Sequence, residues 1–119
     1  MMRFEDWEKN ILDEIKEISD RDLQLRLWFD PNSKLISSFD EVVCRLYDDF
    51  DFIGFLDEIA KRPAWTERYK HLTAFEKKLS EFVDATDVNA DSRDVFENPI
   101  WIDICCEAKK LKTLLSRGT

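Results

Sequence analysis

Glycine is nearly absent from this chain. Its 119 residues include two glycines, three prolines and one histidine, and no apolar run approaches the roughly 20 residues of a membrane-spanning helix. Each shortage excludes something. So few glycines and prolines cannot supply the many tight turns of an all-β fold. Without a glycine-rich loop there is no phosphate cradle of the usual kind. The lone histidine, His71, sits between Lys70 and Leu72 with no serine or cysteine beside it to form a nucleophile–base pair, so it is expected on the surface. Cysteines number three, Cys44, Cys105 and Cys106, and two are adjacent, which argues against a disulfide framework. They read as reduced thiols, small buried packing groups on their helices. The opening MMRFEDWEKNILDEIKEIS carries acids where a signal peptide would have its apolar centre, so a cytoplasmic protein is expected.

What is present points to a folded helical chain. Apolar residues make up 44% and aromatics 13%, too much for a disordered segment. The length suits one domain that buries about two thirds of its extended surface. Eighteen basic residues stand against twenty-six acidic ones, a net charge of −8. Counterion release from phosphates requires positive charge, so direct nucleic-acid binding is not expected, nor is a membrane partner; a basic protein partner suits this balance.

The chain is organised around SFDEVVCRLYDDFDFIGFLDEIA, residues 38–60, where apolar and acidic patterns overlap. Ser38 with Glu41 reads as a capping box. Phe39, Val42, Val43, Leu46, Tyr47 and Phe50 recur at helical steps on one face, leaving Asp40, Glu41, Arg45, Asp48 and Asp49 largely on the other. Asp51 reads as a second cap, with Ile53, Phe55, Leu56 and Ile59 inward on a shorter helix that ends before Pro63.

Before this centre, Phe4, Trp7, Ile11, Ile15 and Ile18 mark an amphipathic surface helix over 3–18, with Glu14 and Glu17 among its polar positions. Residues 19–29 alternate like a strand, but a lone strand has no partner, so a short helix is expected, followed by a turn at Asp30-Pro31-Asn32-Ser33. After the centre, Trp65, Tyr69, Leu72, Phe75, Leu79, Phe82 and Val83 define a helix over 64–84. The acidic stretch that follows is expected to be a surface loop with a turn of helix near Asp94 to Phe96. Asn98-Pro99 then reads as cap and first residue of a last helix, with Trp101, Ile104, Cys105, Ala108, Leu111 and Leu115 as its stripe, and with Lys109, Lys110, Lys112 and Arg117 suiting its C-terminal dipole. The expected fold is all-α, an irregular bundle of five to six antiparallel helices in a single domain.

No catalytic residue, metal ligand or cofactor is expected. DFDFIGFLDEIA places Asp49, Asp51, Gly54 and Asp57 at calcium-loop positions, but Ile53 and Ala60 stand where further oxygen ligands belong. The tryptophans Trp7, Trp65 and Trp101 fit the core stripes. Trp28 and Phe29, beside the proline turn, are the aromatics expected to be exposed enough to anchor a partner. Charge is segregated: residues 40–58 hold seven acids and one arginine, 61–78 six bases and two acids, and 84–97 five acids and one arginine. Solvated helix faces are one reading of this. An acidic surface that steers a basic partner is the other.

Taken together, the acidic run SSFDEVVCRLYDDFDF, the closing NPIWIDICCEAKKLKTLL and the absence of a catalytic set resemble the small acidic helical immunity proteins of bacterial contact-dependent inhibition and other polymorphic toxin systems. The resemblance covers the whole chain in general character. It implies a non-catalytic inhibitor, monomeric when free, that binds a cognate toxin domain, often a basic nuclease. On that model Asp40, Asp48, Asp49, Asp51, Asp87, Asp91 and Asp94 meet the partner, with Trp28 as anchor. A different class of function is an acidic helical adaptor or phage-type regulator that mimics nucleic acid. A third is an enzyme working through surface carboxylates, which would need a cleft.

Overall fold

The computed structural model of the protein describes residues 3–32, 37–87 and 90–116, and among them there is no strand. Helix α1, Phe4–Ser19, is followed by α2, Arg21–Gln24, whose last turn widens into a π-helical segment, Leu25–Phe29. Helix α3, Phe39–Cys44, runs into a second π segment, Arg45–Asp49, and α4 spans Phe52–Ile59. A 3-10 turn, Pro63–Trp65, feeds α5, Thr66–Ala85; α6, Ser92–Glu97, and α7, Pro99–Ser116, complete the chain. The all-α expectation holds. One helix more than expected is present, because the turn anticipated near Asp94 is a short helix of its own. The ambiguous 19–29 segment is helical, since Asp20 accepts from the Leu23 amide and closes the first turn before any strand partner is needed.

Local chemistry sets the helix ends. Ser38 Oγ accepts from the Glu41 amide at 3.1 Å, and Asn98 Oδ1 accepts from the Ile100 amide at 2.8 Å. The capping box at Ser38 is only half formed, because the Glu41 carboxylate instead accepts from Arg45 one turn on. Asp30 Oδ1 accepts from the Asn32 amide in the proline turn; Ser33 lies outside the described residues, as does Arg117.

The core takes its largest side chains from every long helix. Trp101 is fully buried, stacked on Phe82 at 5.8 Å between ring centroids and met edge-on by Phe39 at 5.4 Å. Ile11, Ile15 and Ile18 of α1, Leu72 and Leu79 of α5, and Ile104 and Leu111 of α7 pack in the same cluster. Buried Gln24, unremarkable in the sequence, closes the end of α1. Its Nε2 donates to the Glu17 and Ile18 carbonyls at 3.0 and 2.9 Å, while its Oε1 accepts from Trp101 Nε1.

Several expectations fail here for one reason each. Cys105 is buried, but Cys44 and Cys106 are exposed; adjacent helical positions stand about 100° apart, so 105 and 106 cannot both face the core. Ile53 points outward and Phe52 is the buried residue, because Asp51 takes a left-handed conformation (φ 45°) that resets the phase of α4. Asp51 Oδ1 accepts from the Gly54 amide at 3.1 Å, and a Cβ at Gly54 would stand 2.2 Å from Asp51 Oδ2, so any larger residue there displaces the capping carboxylate. Finally, α1 is not polar along its whole outer side: Glu14 and Glu17 are each only 7% exposed.

Candidate partner-binding surface

The residues that bury those glutamates also define the surface above them. Arg45 turns inward from the π segment and donates from Nε to Glu14 at 2.7 Å and from Nη2 to Glu17 at 3.0 Å. Nη1 reaches Glu41 at 3.3 Å. The second oxygen of Glu17 accepts from Ser37 Oγ at 2.7 Å and Trp28 Nε1 at 3.1 Å, so one carboxylate joins α1, the π segment after α2, and the residues leading into α3. Glu14 has fewer partners, and burial pushes its pKa above the usual carboxylate value against the pull of Arg45. Burial alone would lower Arg45, but hydrogen bonding and the charges of Glu14, Glu17 and Glu41 hold it above its ordinary value. Arg45, which the helical pattern places on the solvent side, is therefore an internal tie.

With Arg45 drawn in, the outer face of α3, its π extension and α4 is left acidic. Asp40, Asp48, Asp49, Asp51 and Asp57 are all exposed. Asp40, Asp48 and Asp49 form no ion pair among the described residues. Ile53, 47% exposed, rises from α4 four residues before Asp57, which puts an aliphatic group on the same helical face as a carboxylate. The sequence reading takes Asp51 as the cap of a separate helix but places Ile53 inward, because the apolar pattern of so short a helix does not decide between Phe52 and Ile53.

The second acidic segment is carried close by. Helix α6 packs on α3 and α7, so Asp91 and Asp94, both exposed, lie on an element adjoining the first acidic run; Asp87 is exposed in the connection before it. Asp91 and Asp51 are partly committed, since their carboxylates cap α6 and α4. Trp28 does not stand out from the surface. It is half-buried, packed on Trp101 and Phe96, and its indole N–H is spent on Glu17. Phe29 is likewise partly covered, edge-on to Phe96.

Among the described residues no three His, Cys, Asp or Glu side chains come together as a metal site, and the Asp51 carboxylate of the calcium-like stretch is a helix cap. Burial pushes the Cys105 thiol away from the reactive thiolate. Tyr47, whose hydroxyl donates to Glu76 at 2.8 Å, is held well above the usual phenol range by burial and then by that carboxylate. His71 is exposed on α5, as expected. No described helix is long and apolar enough to cross a membrane. No family model, curated protein or solved structure matches the chain.

Proposed function

We propose that this chain is a stoichiometric protein inhibitor, an immunity protein that neutralises a basic, nuclease-type toxin domain by covering it, with no chemistry of its own. The observation that carries this reading is the exposed, unpaired set Asp40, Asp48 and Asp49 on a helix anchored from behind by Arg45. Carboxylates fixed on a rigid element and left without internal cations are suited to steer a cationic surface and fix its register. The Asp91 and Asp94 helix beside α3 extends the negative exterior, and Ile53 gives it an apolar contact of the kind that concentrates binding energy. The partner is cytoplasmic and basic, and the free inhibitor is a monomer.

The test is a titration of the protein against the inactivated toxin domain encoded in the adjoining reading frame. A one-to-one complex that abolishes the active toxin's effect, weakened by Asp48→Lys with Asp49→Lys, supports the reading. Absence of any such frame, or turnover of a substrate by the isolated chain, overturns it. Equal binding to many unrelated basic proteins, with steep loss in salt, would instead favour nucleic-acid mimicry.

A further inference from the structure

On a molecule of net charge −8, cations collect where the end of α1 and the start of α2 face α7. Two hollows there share Ser19, Arg21 and Lys109 as walls. One, of about 120 Å³, is completed by Ile102, Cys105 and Cys106. The other, of about 300 Å³, is completed by Asp20, Asp22 and Lys112. Arg21 is fixed in place, because Nη2 donates to the Phe96 carbonyl at 2.6 Å and the guanidinium lies 3.6 Å from the centroid of the Phe96 ring. Its Nη1 is left buried with no hydrogen-bond partner among the described residues.

The charges of this cleft are not spent on one another. Arg21, Lys109 and Lys112 take part in no ion pair among the described residues. The acids on the helix of Cys106 are engaged elsewhere: Asp103 and Glu107 pair with Lys78, and Glu107 also with Lys110. Asp20 caps α2 through the Leu23 amide, whereas Asp22 is exposed and joins no ion pair among the described residues. Cys44 supplies a contrast within the same chain. It is exposed like Cys106, but Asp40 and Glu41 stand one turn before it, while Lys109 stands one turn after Cys106.

We propose that this cleft binds glutathione disulfide and that Cys106 exchanges with it to become S-glutathionylated. A glutathionyl group carries two carboxylates and one ammonium, and the lining offers a partner to each: Lys109, Lys112 and the Arg21 guanidinium for the carboxylates, Asp22 for the ammonium. The sulfur then lies at Cys106 in the smaller hollow. In the exchange the Cys106 thiolate attacks one sulfur of the reagent, whose S–S bond breaks as a new one forms to Sγ. The second glutathione leaves as a thiolate and takes up the proton that Cys106 gave to solvent. Cys105 is buried, its Sγ accepting from Gln24 Nε2 at 3.6 Å, and stays reduced. The cleft shares no residue with the α3–α4 face and stands or falls separately from it.

The experiment treats the full-length protein near neutral pH with oxidised glutathione and follows the modified cysteine by peptide mass spectrometry. Cys106 should react about tenfold faster than Cys44, and cystamine, a cationic disulfide, should abolish or reverse that preference. Lys109→Glu with Lys112→Glu should slow Cys106 about tenfold toward oxidised glutathione. The same variant should react with uncharged hydroxyethyl disulfide at the wild-type rate, which shows that the fold around Cys106 is intact. Asp22→Asn should also slow the glutathione reaction, by about threefold, whereas a cleft that only attracts anions would react faster once that acid is gone. Equal rates at Cys106 and Cys44, or acceleration by Asp22→Asn, would overturn the proposal. So would the same preference for Cys106 with hydroxyethyl disulfide, which would reduce it to an exposed thiol without a binding site.

Discussion

Two groups of carboxylates, one on α1 and the other on α3 and its π extension, behave oppositely in this molecule. Glu14 and Glu17 are buried, share one guanidinium and hold three segments together, whereas Asp40, Asp48 and Asp49 stand in water with no cation assigned to them. Residue type does not separate the groups. What separates them is the direction of Arg45: by turning inward it makes two glutamates structural and leaves the face above it uncompensated. Desolvation makes the inner set costly to disturb, and solvent screening makes the outer set cheap to change.

The largest break in that contrast comes from Arg45→Met. Two carboxylates at 7% exposure then lose their shared cation, and urea unfolding at pH 7 should show a loss of about 2–4 kcal/mol. That is toward the lower end for a broken buried pair, because the Arg45 side chain is itself 27% exposed. The loss should shrink on acidification, as Glu14 takes up a proton and one buried charge disappears. A loss below about 0.5 kcal/mol would put Glu14 and Glu17 in the same class as the outer aspartates.

Asp51 belongs to neither group, and its variants sharpen the boundary. It is exposed, yet its carboxylate caps α4 and its backbone is left-handed. Asp51→Ala should cost about 1–2 kcal/mol by losing the cap and keeping the strained conformation. Asp51→Gly should cost less, since glycine adopts that conformation freely. Equal costs would mean that the left-handed turn carries no strain.

Glu14→Gln tests the inner group by pH. Burial raises the folded-state pKa of Glu14 above its unfolded value, so its contribution to stability is full below the unfolded value near 4.5 and is lost as pH rises through the raised folded value. The difference between wild type and Glu14→Gln, followed by thermal melting, should therefore move against wild type as pH increases across that window. A difference that is flat with pH would mean Arg45 fully offsets the burial.

Much of this was readable beforehand, and the failures share a cause. The stripes Ile11, Ile15, Ile18 and Trp101, Ile104, Ala108, Leu111 are buried as their spacing predicts, and Ser38 and Asn98 cap as expected. Periodicity reports which face of one helix is apolar. It does not report that a charged residue on the border of that face finds a partner on another helix, as Arg45 does in Glu14 and Glu17. Nor does it fix the inward face of a helix as short as α4: Asp51 caps that helix as read, yet Phe52 rather than Ile53 enters the core. Trp28 was misjudged for a related reason: a neighbouring proline turn says nothing about Trp101 and Phe96, which cover it from elsewhere in the chain.

The smallest effect on stability should come from the outer group, and it is the most informative for function. Asp48→Lys with Asp49→Lys alters exposed side chains that take part in no ion pair or cap, so unfolding free energy should stay within about 0.5 kcal/mol of wild type. The net charge moves from −8 to −4 because each exchange removes a negative charge and adds a positive one. If the face steers a basic partner, association slows by about tenfold or more at low salt while the dissociation rate changes less, since rim charges act mainly on encounter. Ile53→Ser in the same background should act on dissociation instead, as loss of an apolar contact does. A stable double variant that associates at the wild-type rate would show that these carboxylates only solvate the helix, and would leave Arg45's inward turn as purely architectural.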